Sequence, residues 1–157
     1  MDYKKQQVDL EFGFRSEEET HEYLESVFGK LMNTKDNREM GNYFEFDKYN
    51  DDYFIEMKTR RIKHNQYESL FFGVNKLDKG DELLKENPNL RIFYLWRCND
   101  GVYGWEHNST EFEIKKRGRT DRGKNEIDFC VDIKQKYIKP LKNLLDNING
   151  SNEQTKV

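Results

Sequence analysis

The stretch Phe44–Lys58, FEFDKYNDDYFIEMK, followed at once by Thr59-Arg60-Arg61, decides how this chain reads. Its first arm alternates Phe44, Glu45, Phe46, Asp47, and its second runs Tyr53, Phe54, Ile55, Glu56, Met57, Lys58. Asn50-Asp51-Asp52 between them supplies turn chemistry, so the segment predicts a β-hairpin. With the turn centred on Asn50 and Asp51, Glu45 lies opposite Glu56. Alternation along the strands then puts Glu45, Asp47, Glu56 and Lys58 on one face. Like charges directly opposite one another are unfavourable unless something compensates them. A divalent cation is the usual compensation and a nearby lysine its usual companion, an arrangement suited to metal-dependent cleavage of phosphodiesters.

These residues resemble the PD-(D/E)xK nuclease superfamily, which includes restriction endonucleases, archaeal Holliday-junction resolvases and lambda-type exonucleases. Phe54-Ile55-Glu56-Met57-Lys58-Thr59-Arg60-Arg61 matches its hydrophobic-E-x-K-T/S-R signature. The departure is upstream, where the family usually has aspartate. Strand pairing favours Glu45 there and the family's residue preference favours Asp47; Glu45 is ranked first. The resemblance implies an α/β fold with a restriction-endonuclease-like core of helix, three strands, helix and strand. That core is a mixed sheet flanked by helices, here with added C-terminal strands and a terminal helix. The segment DRGKNE is also similar to nuclease-fold proteins of large DNA viruses.

The three-residue signal is weak alone, because 36% of the chain is charged. Asp2-Tyr3-Lys4, Glu113-Ile114-Lys115 and Asp132-Ile133-Lys134 have the same form. Only Glu56-Met57-Lys58 has a helix and an acid-bearing strand before it and a helical segment and an apolar strand after it. The triplets at 113 and 132 read as charge alternation on edge strands.

An upstream helix adds a separate indication. Ser16 and Glu19 have capping-box spacing, and Thr20, Tyr23, Leu24, Val27, Phe28 and Leu31 mark a core-facing stripe. Glu17 falls on that stripe. Many members of the resembled superfamily carry a helix-one glutamate in the metal site, and Glu17 matches it; the bland alternative is a first-turn acid favoured by the helix dipole.

At 157 residues the chain suits one domain, expected over 1–149, with a polar disordered tail over 150–157. Aromatics reach 14%, so the core is expected to rest on Phe, Tyr and Trp. No run approaches the roughly 20 apolar residues that span a bilayer, and the stretch MDYKKQQVDLEF lacks a signal peptide's apolar character. The expectation is a soluble intracellular protein of cytoplasm or nucleus, or virion-associated if viral. Cys98 and Cys130 sit in apolar segments and read as buried reduced thiols, and the three histidines lack metal-ligand spacing. A net charge of −3 counts mildly against nucleic-acid binding. Its distribution counts for more: Lys58, Arg60, Arg61 and Lys63 form one basic cluster, and Lys115, Lys116, Arg117, Arg119, Arg122 and Lys124 a second, in a glycine-punctuated loop.

Elsewhere, residues 1–12 read as an arm and 32–42 as a polar loop with a short strand near Leu31. Residues 66–74 are ambiguous between helix and buried strand. A helix is expected over 75–86, ending before Asn87-Pro88 despite Gly80. Arg91–Arg97 and Val102–His107 form a second hairpin around Asn99-Asp100-Gly101. Strands follow near 111–116 and 127–133, and a helix over 139–148. In related nucleases the helix after E-x-K carries a polar residue that helps position metal or DNA, for which Gln66, Tyr67 and Lys76 are candidates.

The resemblance implies Mg²⁺ (or Mn²⁺), held by Glu45 or Asp47, by Glu56 and by the carbonyl of Met57. Glu17 completes the set and Lys58 is the fixed charge beside the reacting phosphate. Arg60, Arg61, Lys63, Lys76 and the second cluster would track a nucleic-acid backbone, DNA in the first instance. A two-fold homodimer is the default. Two rivals are a nuclease-fold protein that binds nucleic acid without cutting it, and an interaction domain docking through its basic loop.

Overall fold

The computed structural model describes residues 17–41, 44–108, 111–119 and 126–145. The chain order is α1 (Glu17–Phe28), β1 (Met32–Asn33), β2 (Lys48–Tyr49), β3 (Tyr53–Thr59), β4 (Ser69–Gly73), α2 (Val74–Glu86) and β5 (Arg91–Cys98). There follow β6 (Gly101–Glu106), β7 (Glu113–Arg119), β8 (Glu126–Lys134) and β9 (Lys139–Pro140). The main sheet has the order β1-β2-β3-β5-β6-β9, and β4-β8-β7 form a second sheet. β3 and β5 are parallel, joined by the crossover that contains α2; their neighbours in the main sheet are antiparallel. With β4 set aside in the second sheet, the main-sheet order of helix, three strands, helix, strand is that of a restriction-endonuclease-like core.

The apolar run of β5 explains why the sheet is covered on both sides. Ile92, Tyr94 and Trp96 enter one core with Phe46, Phe54, Phe72 and Leu77, while Phe93 and Leu95 enter another with Leu24, Phe28 and Ile55. Strands buried on both faces read as continuous apolar runs instead of alternating ones. The core is aromatic, as the composition predicts; Phe72 stacks on Tyr94 with centroids 4.0 Å apart.

In α1, Thr20, Leu24 and Phe28 are buried as the stripe requires, whereas Tyr23 is largely exposed. Burial of Leu24 and Phe28 is worth about 2 kcal/mol each. Ser16, the proposed cap, lies outside the described residues, as do 1–12 and 150–157. α2 keeps Leu77, Gly80 and Leu83 inward, and the Asn87 N–H closes it on Leu83 O at 2.9 Å. Gly80 belongs in this helix because a Cβ there would meet Tyr94 Oη at 2.7 Å and His107 at 2.9 Å.

Three expectations change. The ambiguous stretch 66–74 resolves into β4, with α2 beginning at Val74. The basic "loop" is a strand up to Arg119: Lys115 pairs with Cys130 and Gly118 with Ile127, because the apolar strand β8 recruits a partner whatever the glycine's preference. β8 is therefore central in its sheet, not an edge, and Asp132 is buried. The last helix begins at residue 141, because Lys139–Pro140 extend the main sheet beside Tyr103 and Gly104. Both cysteines are buried and free. Among the described residues no helix is long and apolar enough to cross a membrane.

Candidate metal centre

β3 carries Glu56 and Lys58 in the middle of the main sheet, with Glu56 beside Tyr94 and Lys58 beside Trp96 of β5. On its other side, Lys48 pairs with Ile55 and Tyr49 with Phe54. Just before the paired residues, Asp47 lies against Glu56: its N–H donates to Ile55 O at 3.0 Å, and its carboxylate acts on the Glu56 carboxyl.

This corrects the expected pairing of Glu45 with Glu56. Asn50 is the reason. Its Oδ1 accepts from the N–H groups of Asp52 (2.9 Å) and Tyr53 (2.8 Å), and its own N–H donates to Tyr53 O (2.9 Å). An asparagine that closes the turn from its first position centres it on Asp51 and Asp52. The partner of every residue on the first arm moves by two. Phe46 is fully buried against Phe54 and Tyr94 and anchors this arm. Buried Thr34 locks the segment, donating from Oγ1 to Phe46 O at 2.6 Å and from its N–H to Asp47 O at 3.0 Å. Glu45 is half-buried and precedes the paired region.

Asp47 is exposed, and its Oδ2 accepts the Met57 N–H at 3.1 Å. In a strand the N–H and C=O of one residue point to the same side, so the Met57 carbonyl also lies on the side of Asp47. Glu56 is 3% exposed. Burial, with the hydrogen bond and charge of Asp47 added, pushes its carboxyl up to about 8 against an opposing pull from Lys76. Lys76 of α2 brings Nζ to 2.8 Å from Glu56 Oε2, yet Oε2 has no aligned hydrogen bond among the described residues. The contact is an ion pair in distance that leaves a buried oxygen with a lone pair to spare. Lys76 is therefore tied to the acidic centre and is withdrawn from the list of backbone-tracking cations. Lys58 is half-buried and has no hydrogen bond or ion pair with any described residue.

A cleft of about 380 Å³ opens along Thr20, Thr34, Asp47, Met57, Thr59 and Arg97. Thr20 lies one helical turn after Glu17; the Glu17 side chain itself is outside the described residues. Lys48, next to Asp47, reaches His21 Nδ1 at 2.7 Å and Asn33 Oδ1 at 2.8 Å, bracing the edge strands against α1. His21 Nε2 in turn lies 3.4 Å from Glu25, whose carboxyl is held low mainly by the Leu31 N–H. Sequence reasoning missed Lys48, His21 and Arg97; the one available signal was that Lys48 follows an acid in the hairpin.

Of the expected cations, Arg61 and Lys63 are exposed, and Arg60 lies over the Phe71 ring at 5.1 Å. Lys115 is engaged with Glu113 (3.6 Å) and buried Asp132 (3.5 Å), and exposed Lys116 sits 5.5 Å over Phe129. Arg122 and Lys124, and the side chains of Arg117 and Arg119, lie outside the described residues. Gln66 and Tyr67 are exposed beside β4, away from the acidic pair in sequence and in lining.

Among the described residues no cluster of three or more His, Cys, Asp or Glu could hold a metal. Two carboxylates and a carbonyl suit Mg²⁺, which keeps several waters and takes substrate phosphate oxygens as further ligands. They do not suit zinc, which wants nitrogen or sulfur donors. Glu56 Oε2, buried and 2.8 Å from Lys76 Nζ, is an oxygen donor of the kind a hard cation takes.

An acid paired with an E-x-K strand in a helix–three strands–helix–strand core defines the PD-(D/E)xK class. The sequence profile of a family described as "Phage putative PDDEXK endonuclease" matches residues 12–144, and the chain belongs to that family. No curated protein matches it.

Proposed function

We propose that this protein is a divalent-metal-dependent nuclease that hydrolyses phosphodiester bonds of DNA, directed by structure or strand ends and not by sequence. The observation that carries this is the buried Glu56 carboxyl beside exposed Asp47, whose Oδ2 also takes the Met57 N–H. Two carboxyls so placed are both ionised near neutral pH only when a cation joins them. Asp47, Glu56 and the Met57 carbonyl are the residues to hold Mg²⁺ or Mn²⁺, with Glu17 as a fourth donor. The bound ion would acidify a water and offset the charge growing on the phosphate. Lys58, unpartnered among the described residues, supplies a fixed positive charge beside the phosphate being attacked. Arg60, Arg61, Lys63, Lys115, Lys116, Arg117, Arg119, Arg122 and Lys124 contribute backbone contacts, which position without reading sequence.

The test is cleavage of linear duplex, single strand and four-way junction with Mg²⁺, Mn²⁺ or EDTA, beside Lys58→Ala. Metal-dependent cleavage that the variant loses is the expected result. Absence of cleavage with either ion, in protein that melts cooperatively, refutes it.

A further inference from the structure

A second constellation stands at the carboxyl end of the same strands. Beyond β3 the chain keeps pairing with β5 and its turn: the Arg60 N–H donates to Arg97 O at 2.8 Å, and the Asn99 N–H to Ile62 O at 2.8 Å. This brings His64 against Asp100 of the β5–β6 turn. Asp100 accepts from the His64 N–H at 2.9 Å through one oxygen and meets the ring Nδ1 at 2.5 Å through the other. Tyr103 stacks on the imidazole, centroids 3.7 Å apart and 13° from parallel. Gln135 holds the His64 carbonyl from β8's end. Burial alone would raise the Asp100 carboxyl, but the hydrogen bonds from His64 outweigh it and hold it low. Asp100 is thus an acceptor, Nδ1 the donor, and Nε2 the open position, with no partner among the described residues. The ring is partly open to solvent.

Its surroundings are cationic. Arg61 and Lys63 are exposed and form no ion pair with any described residue. Asp100, consumed by the ring and the main chain, is the only acid this cluster touches among the described residues. Lys58 sits beside Trp96, and Trp96 pairs with Tyr103, the residue on which His64 stacks.

We infer that His64, aimed by Asp100 and Tyr103 and flanked by Arg61 and Lys63, is a phosphate-contacting position that grips the substrate backbone beside the proposed cleavage site. Asp100 takes the Nδ1 side of the ring, so a contact with a phosphate oxygen runs from Nε2–H, with Asp100 as the rear counter-ion. This rests on the reading of the protein as a nuclease and adds where along the strand the substrate is held.

Fluorescence anisotropy with a short labelled DNA duplex in EDTA, over a range of NaCl, tests it. In His64→Asn the amide nitrogen takes the place of Nδ1, so the link to Asp100 survives while the outer nitrogen is lost. The expected result is several-fold weaker binding, a salt slope shallower by about 0.9, and an unchanged melting temperature. His64→Arg, which restores an outward cation, is expected to recover the slope. Wild-type affinity and slope in His64→Asn, while Arg61→Ala weakens binding, make His64 a loop staple and overturn the inference alone. Equal losses in the Asn and Arg variants overturn it too, because loop shape and not charge is then responsible. Failure of the unaltered protein to bind DNA at any salt overturns the nuclease reading with it.

Discussion

Replacing Glu56 by Gln keeps the shape of the side chain and removes its proton equilibrium. The folded chain holds this carboxyl near 8, against an ordinary value of 4.5, chiefly because it is buried. An acid raised on folding contributes stability that is complete below pH 4.5 and is lost progressively up to about 8. At pH 7 the unfolded chain has gained nearly the full benefit of ionising Glu56 and the folded chain almost none. The gap is about 3 kcal/mol. Gln has no such gap, but it leaves Lys76 without its partner. A net stabilisation of about 1–2 kcal/mol remains, a rise of about 2–8 °C in melting temperature. Differential scanning fluorimetry in EDTA should record it at pH 7, with the difference vanishing near pH 4. In excess Mn²⁺ the order should reverse. The native protein gains about 2.7 kcal/mol at a hundredfold excess over its dissociation constant, and the variant gains little. A Gln variant less stable than the native protein in EDTA at pH 7, or shifted equally by Mn²⁺, would refute the account of Glu56.

Asp47→Asn should abolish Mn²⁺-induced stabilisation while Glu45→Gln preserves it, because Asp47 and not Glu45 acts on Glu56; thermal melts with and without metal decide between them. Metal affinity should climb about tenfold per pH unit until the Glu56 carboxyl ionises. Calorimetry at pH 6.5 in two buffers of different ionisation enthalpy should find close to one proton released per ion. Gly80→Ala should lower the melting temperature although alanine favours helix. The new methyl strikes Tyr94 Oη and His107, both fixed by hydrogen bonds, at a cost of about 1–3 kcal/mol against about 1 gained in propensity.

The parts of the fold with their own periodicity were legible in the sequence. Arg91–Cys98 reads as a doubly buried strand because its apolar run permits little else, and the E-x-K strand is identified by what precedes and follows it. The first acid was misassigned because register depends on which turn residue bonds the backbone. Asn50 takes two N–H groups that the residue pattern alone leaves unassigned. The strand character of Lys115–Arg119 was hidden for another reason: charge and glycine argue for a loop, and only the demand of β8 for a partner overrides them. Lys76 was foreseen as a polar residue of the second helix, but its partner was not. A contact across the crossover leaves no local trace in sequence.

Glu56 and Lys58 ride on a seven-residue strand flanked on both sides, whereas Asp47 hangs at the end of a two-residue strand whose far neighbour is equally short. The centre is therefore unequal in mechanical support. Amides of β3 should be among the last to exchange with deuterium, and those around Asp47 among the early ones. One half of the site is permanent framework, while the other must be docked against it each time the edge opens. An ion bridging the halves would act as a clasp, slowing exchange at the edge far more than at the centre.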